Sequence, residues 1–114
     1  MILIIRNRAT PEQMQEMLAA LKIYIKVAVD IDRKLLSGGG ELHADCEQIL
    51  LKDGSQQDQI WGGDWYPFNQ TVGHESIINI RPRLNNRSME IQSPSIREQV
   101  SEVLYNLLGG VQWR

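Results

Sequence analysis

From Ile23 to Asp32 the chain alternates: Ile23, Ile25, Val27, Val29 and Ile31 fall on one side, and Tyr24, Lys26, Ala28, Asp30 and Asp32 on the other. Successive strand side chains point to opposite faces, so this pattern is a half-buried strand whose apolar face must be covered. The chain supplies helices to cover it. Thr10-Pro11-Glu12-Gln13 opens one: Thr10 caps the first free N–H groups, Pro11 suits the first helical position, and Gln13 completes a capping box. Met14, Met17, Leu18 and Leu21 then recur at helical spacing. Ser93-Pro94 opens another, with Ile96, Val100, Val103 and Leu107 on its apolar face and Gly109-Gly110 as its stop.

The remaining elements follow from the same signals. Ile2 to Ile5 is an apolar run suited to a central strand buried on both faces. Asp32-Arg33-Lys34 turns into a short strand at Leu35-Leu36, and Ser37-Gly38-Gly39-Gly40 breaks the pattern. A helix starts near Glu41, with Leu42, Cys46, Ile49 and Leu50 on one face, and ends at Asp53-Gly54. Gln59 to Tyr66 reads as a strand interrupted by a bulge at Gly62-Gly63, and Pro67 to Gly73 as a loop. Ser76–Arg81 and Arg87–Ile91 read as two strands of a hairpin turning through Pro82 to Asn86. The order β-α-β-β-α-β-β-β-α predicts an α+β fold, a mostly antiparallel sheet with about three helices packed on it. At 114 residues, one domain spanning 1–114 is expected, with 111–114 as a flexible tail.

Composition narrows the functional classes. The net charge is −2, without the cationic excess that sequence-blind nucleic-acid binding needs. A small anion site is still compatible with it. The lone cysteine, Cys46, forms no internal disulfide and suits a reducing compartment. The apolar start, Met1 to Ile5, is too short for a signal peptide or a membrane helix, so a soluble, cytoplasmic protein without a membrane partner is expected.

Two segments concentrate the chemistry. In the first, Gly39 and Gly40 precede Glu41, His43, Asp45 and Glu47. A glycine turn before a helix lets backbone N–H groups converge on an anion. Alternatively, the glycines only make the turn, and Glu41 and Asp45 complement the helix dipole. His43 suits acid–base work because its ordinary pKa lies near neutrality, and Glu41, Asp45 or Glu90 would orient or assist it. The alternative is a surface or helix-packing histidine. In the second segment, Asn79, Arg81, Asn86, Arg87, Ser88 and Glu90 crowd one hairpin. Ile78 with Ile80, and Met89 with Ile91, would face the core, leaving Asn79, Arg81, Ser88 and Glu90 outward. The functional reading is an oxyanion pocket built on arginine's planar fork. The alternative is a solvated face with an Arg–Glu pair. Trp61, Trp65 and Tyr66 serve either as a stacking surface or as core. Cys46 reads as inert packing, and no motif supplies a nucleophile or a zinc site.

Gly39-Gly40-Glu41-Leu42-His43-Ala44-Asp45, Asp53-Gly54-Ser55, Trp61-Gly62, Tyr66-Pro67, Ile78-Asn79-Ile80-Arg81-Pro82 and Asn86-Arg87-Ser88-Met89-Glu90-Ile91 together resemble a small prokaryotic family known only as a domain of unknown function. The resemblance implies no activity and no role for any residue. Three functional expectations remain. One is a phosphate- or carboxylate-handling site, hydrolase or nuclease-like, in which Arg81 and Arg87 hold a small anionic ligand and His43 moves a proton. The second is an interaction module or homo-oligomer. The third is a metal-binding regulator using His43, Glu47 and nearby carboxylates. No cofactor and no specific metal site is implied.

Overall fold

The computed structural model describes residues 1–113. Five strands form one sheet: β1 (Leu3–Ile5), β2 (Ile25–Asp30), β3 (Leu35–Gly40), β4 (Ile60–Tyr66) and β5 (Thr71–Gly73). Their order is β1-β3-β2-β4-β5, and every neighbouring pair is antiparallel. Three helices cover it: α1 (Pro11–Leu18), α2 (His43–Lys52) and α3 (Pro94–Leu108). This is the expected α+β class, with the helices in the expected places. Among the described residues no helix is long and apolar enough to cross a membrane.

The alternation in β2 organises the layers. Ile25, Val27 and Val29 pack with Met14 and Met17 of α1 and Val100 and Leu104 of α3. Ala28, on the opposite face, packs with Cys46 and Leu50 of α2. The sheet is therefore covered by α1 and α3 on one side and by α2 on the other. Local signals start two of these helices as expected. Thr10 Oγ1 accepts from the Gln13 N–H at 3.2 Å, and Gln13 Oε1 accepts from the Thr10 N–H at 2.9 Å. Ser93 Oγ accepts from the Ile96 N–H at 3.2 Å.

Several local expectations are corrected. β1 is apolar on both faces as read, but it is an edge strand that pairs with β3 alone. Helices on both sides of the sheet explain its apolar pattern without a central position. Ser37–Gly40 is not a turn; it belongs to β3, and α2 begins at His43. A side chain at Gly38 would lie 3.2 Å from the Met17 sulfur. Gly39 has φ +105° and is the unpaired residue between the pairs Lys26–Gly40 and Val27–Gly38, a bulge. Gly62 and Gly63, conversely, lie in unbroken register with Ala28 and Val27. They are small because a Cβ at Gly62 would sit 2.5 Å from the Ser76 Cβ. Residues 71–73, expected in a loop, form β5. Val111 of the expected tail is buried, and Trp113 meets Phe68 edge-on; Arg114 lies outside the described residues.

The expected hairpin is the largest departure. Residues 75–91 are joined by two isolated antiparallel bridges, Glu75–Glu90 and Arg81–Asn86, with 3₁₀ turns at Ile77–Asn79 and Pro82–Leu84. Period two is lost there, although Ile91 is buried and Ile78 packs against the core as expected. Asn79 and Asn86 are buried, while Ile77, Ile80 and Met89 are exposed. The asparagine side chains supply the hydrogen bonds that a neighbouring strand would. Asn79 accepts from the Gly62 N–H at 2.8 Å and donates to the carbonyls of Gly62 and Met89 at 3.0 and 3.1 Å. Asn86 donates to the carbonyls of Asn79, Ser88 and Glu90 at 2.8, 2.9 and 2.9 Å, and accepts from the Gln92 N–H at 2.8 Å.

Candidate functional site

The α2 face of the sheet is only partly filled. Alternation along β2 and β4 sends Lys26 and Asp64 to this face, and the two are register partners; Asp64 pairs in turn with Gly73 of β5. The first turn of α2, strands β4 and β5 and the 75–91 ribbon border a common space. An open cleft of about 700 Å³ lies between them.

His43, the first residue of α2, is inserted at its floor. Its Nε2 lies 2.9 Å from the Gly63 carbonyl oxygen and 3.0 Å from Asp64 Oδ1. Both partners are acceptors, so Nε2 carries a proton and Nδ1 is left without a partner in the fold. Only about a tenth of either side chain is exposed (10% for His43, 13% for Asp64), which shields the pair from competing water.

A second histidine, His74, lines the same cleft. Its Nε2 is 3.2 Å from the Arg97 carbonyl oxygen and 2.9 Å from Ser101 Oγ on α3. A carbonyl only accepts, so this ring too is anchored through Nε2 with Nδ1 left as the lone pair. Burial, reinforced by the Arg97 charge, holds its pKa below the usual histidine value of 6.5, so it is neutral at pH 7.

Charge in the cleft is mixed. Lys26 and Arg97 are the cations; Asp64, Glu75 and Glu90 are the carboxylates. Lys26 is steadied by donating to the Glu41 carbonyl at 3.0 Å, and Arg97 by donating to the Ile91 carbonyl at 3.3 Å. Tyr66 forms one wall, its ring stacked on Tyr24 with centroids 5.2 Å apart. Burial, and then the Asp64 charge, push its phenol pKa upward. Leu42, Ile77 and Met89 give the rim an apolar edge.

The other predicted residues lie elsewhere. Arg81 lines a separate groove with Glu47, Asp58 and Arg83. Its guanidinium is turned onto the protein: it pairs with the Glu47 carboxylate, donates to the carbonyls of Gln57 and Ile60, and lies over the Trp61 ring, 5.5 Å from its centre. Burial draws its pKa down, and Glu47 opposes that shift. Arg87 is exposed and lines neither hollow, and Ser88 Oγ accepts from the Glu90 N–H at 3.1 Å. Gly39 and Gly40 are buried in β3. Glu41, just before α2, and Asp45, in its first turn, are exposed and do not line the cleft. Cys46 is buried, and that burial raises its thiol pKa. Of the expected ensemble, the cleft thus holds His43 and Glu90. Among the described residues no group of three or more His, Cys, Asp or Glu is arranged to hold a metal ion.

Sequence reasoning missed Asp64, His74, Glu75, Lys26 and Arg97. For Lys26 and Asp64 a signal existed: Lys26 is the one cation of β2, whose other charged residue, Asp30, ends the strand, and Asp64 is the one charged residue of β4. His74 and Arg97 carried none, because only the return of the ribbon across the sheet brings them together.

No curated protein and no solved structure matches the chain. A family model matches residues 3–107, nearly the whole of it. The chain therefore belongs to the family described as protein of unknown function, DUF5674.

Proposed function

We propose that the cleft binds a small anionic ester and that His43 is its proton-transfer group, which would make the protein a hydrolase or transferase of the acid–base type. The anchoring of His43 carries this reading. With Nε2 held by Gly63 and Asp64, the ring cannot turn, and Nδ1 is the nitrogen free to exchange a proton. A positioned general acid or base contributes about 10²–10⁴-fold to rate. Lys26 and Arg97 supply positive charge for the oxyanion of the substrate, the part that the sequence pattern assigned to Arg81 and Arg87. Glu90 is the remaining carboxylate from the expected set that lies within reach of the same cleft. A reducing, cytoplasmic setting fits the single buried thiol.

The test is a panel of phosphate and carboxylate esters assayed with wild type, His43→Asn and Asp64→Asn. His43→Asn is expected to lose at least about 100-fold in kcat. Asp64→Asn, which leaves an acceptor but removes the charge behind the imidazole, should lower kcat with little change in KM. Both should melt close to wild type. Unchanged turnover in His43→Asn, or no turnover and no thermal shift with any ester, would sink the reading.

A second reading draws on the apolar rim. Leu42, Ile77 and Met89 are 57%, 67% and 41% exposed, and a second copy of the chain would bury them. Light scattering at high protein concentration decides this, since a strict monomer would leave the rim to the ligand alone.

A further inference from the structure

The acid–base reading uses one histidine, yet the cleft holds two, both anchored through Nε2 and both with Nδ1 as the free nitrogen. Resting on that reading, we propose that the substrate is a short ribonucleotide phosphodiester, cleaved by attack of its own 2′-hydroxyl, with His74 and His43 as the two proton-transfer groups.

Three features of the cleft lead there. First, displacement at a phosphodiester needs one group to take a proton from the nucleophile and another to give one to the leaving oxygen. Two imidazoles in one cleft are that pair. Burial favours the neutral form of His74, which takes the proton; His43, with the Asp64 carboxylate against its Nε2, gives one. Second, no serine or cysteine of the cleft is free to attack. Ser76 is buried and its Oγ accepts the Ile78 N–H, while Cys46 is buried outside the cleft. A substrate that brings its own hydroxyl removes the need. Third, Lys26 and Arg97 can neutralise the non-bridging oxygens, and the Tyr66 ring, held by Tyr24, offers a wall for a base.

The step balances without a co-reactant. The O2′–P bond forms and the P–O5′ bond breaks. The proton of O2′ passes to His74 Nδ1, and a proton from His43 Nδ1 passes to O5′. The products are a 2′,3′-cyclic phosphate and a free 5′-hydroxyl, and nothing is oxidised or reduced. Glu75 and Glu90 are partners across their bridge, and both line the cleft beside the Asp64 carboxylate. Together with the net charge of −2 this opposes a long polyanion and favours a substrate with a single phosphodiester.

The experiment offers ribodinucleoside monophosphates and their 2′-deoxy counterparts to wild type, His43→Asn and His74→Asn, all purified identically and assayed with a chelator present. Phosphorus NMR follows the product. The expected result is cyclic phosphate from ribonucleotides only, with at least about 100-fold loss in each variant and loss of one limb of the pH–rate profile. His43→Gln and His74→Gln replace any variant that melts early. Cleavage of the deoxy compounds, or equal rates in the variants, overturns the proposal. If no dinucleotide is cleaved while the ester panel is turned over in a His43-dependent way, the ribonucleotide assignment fails and the acid–base reading stands. If neither substrate set is turned over, both fail.

Discussion

The two polar regions flanking α2 use similar side chains to opposite ends. Around Arg81, Asn79 and Asn86 the polar groups point inward and are bonded to carbonyls, backbone N–H groups and the Glu47 carboxylate. Around His43 and His74 each ring is anchored by one nitrogen, and the other has no partner in the fold. A density of Asn and Arg does not by itself make a site. What separates the regions is whether the hydrogen-bonding capacity is consumed by the fold.

That contrast can be broken by mutation, beginning with the largest effect. Arg81→Met should destabilise the protein by about 3–5 kcal/mol in denaturant titration, because it strands the buried Glu47 carboxylate. Arg81→Met with Glu47→Gln should recover part of the loss. Asn79→Ala comes next. It leaves the Gly62 N–H and carbonyl without their partners in a buried setting, at about 1–3 kcal/mol for each unsatisfied group. If either variant were as stable as wild type, the 75–91 ribbon would not be held as described. The cleft should behave differently: His43→Asn should move Tm by only a few degrees while abolishing ligand-induced stabilisation.

The smallest expected effect is on pH dependence. The pKa of His74 is lowered in the folded protein, by burial and then by Arg97, so below about pH 6.5 the unfolded chain binds the proton more readily. Stability from this group is therefore present above 6.5 and is lost as pH falls through the lower folded value. Tm should drop between about pH 7.5 and about pH 5.5, and His74→Asn should flatten that slope. A Tm that rose on acidification through this range would contradict the environment assigned to His74.

How much of this was legible follows from where each signal resides. The caps at Thr10 and Ser93 and the alternation of β2 are local, and they read correctly. The glycines did not. Gly38 and Gly62 are small because Met17 and Ser76 arrive against them from elsewhere in the chain, and nothing local distinguishes that from a turn or a bulge. The 75–91 segment misread for a related reason. Asn79 and Asn86 replace strand pairing with side-chain amides, so Asn79 goes inward while Ile80 and Met89 are left exposed. His43 stands out in the sequence because a histidine's ordinary pKa suits proton transfer, and the fold sets it in the cleft. Its partner Asp64 is 21 residues away and becomes a neighbour only through sheet register.

We propose that ligand chemistry belongs to the His43–His74 cleft and not to the Arg81 groove. Amide chemical-shift mapping during titration with a ribodinucleoside monophosphate separates the two. Shifts are expected to concentrate at His43, Asp64 and residues 73–77, with Arg81 to Asn86 unmoved. Shifts centred on Arg81, Arg83 and Asp58, with the cleft silent, would contradict it.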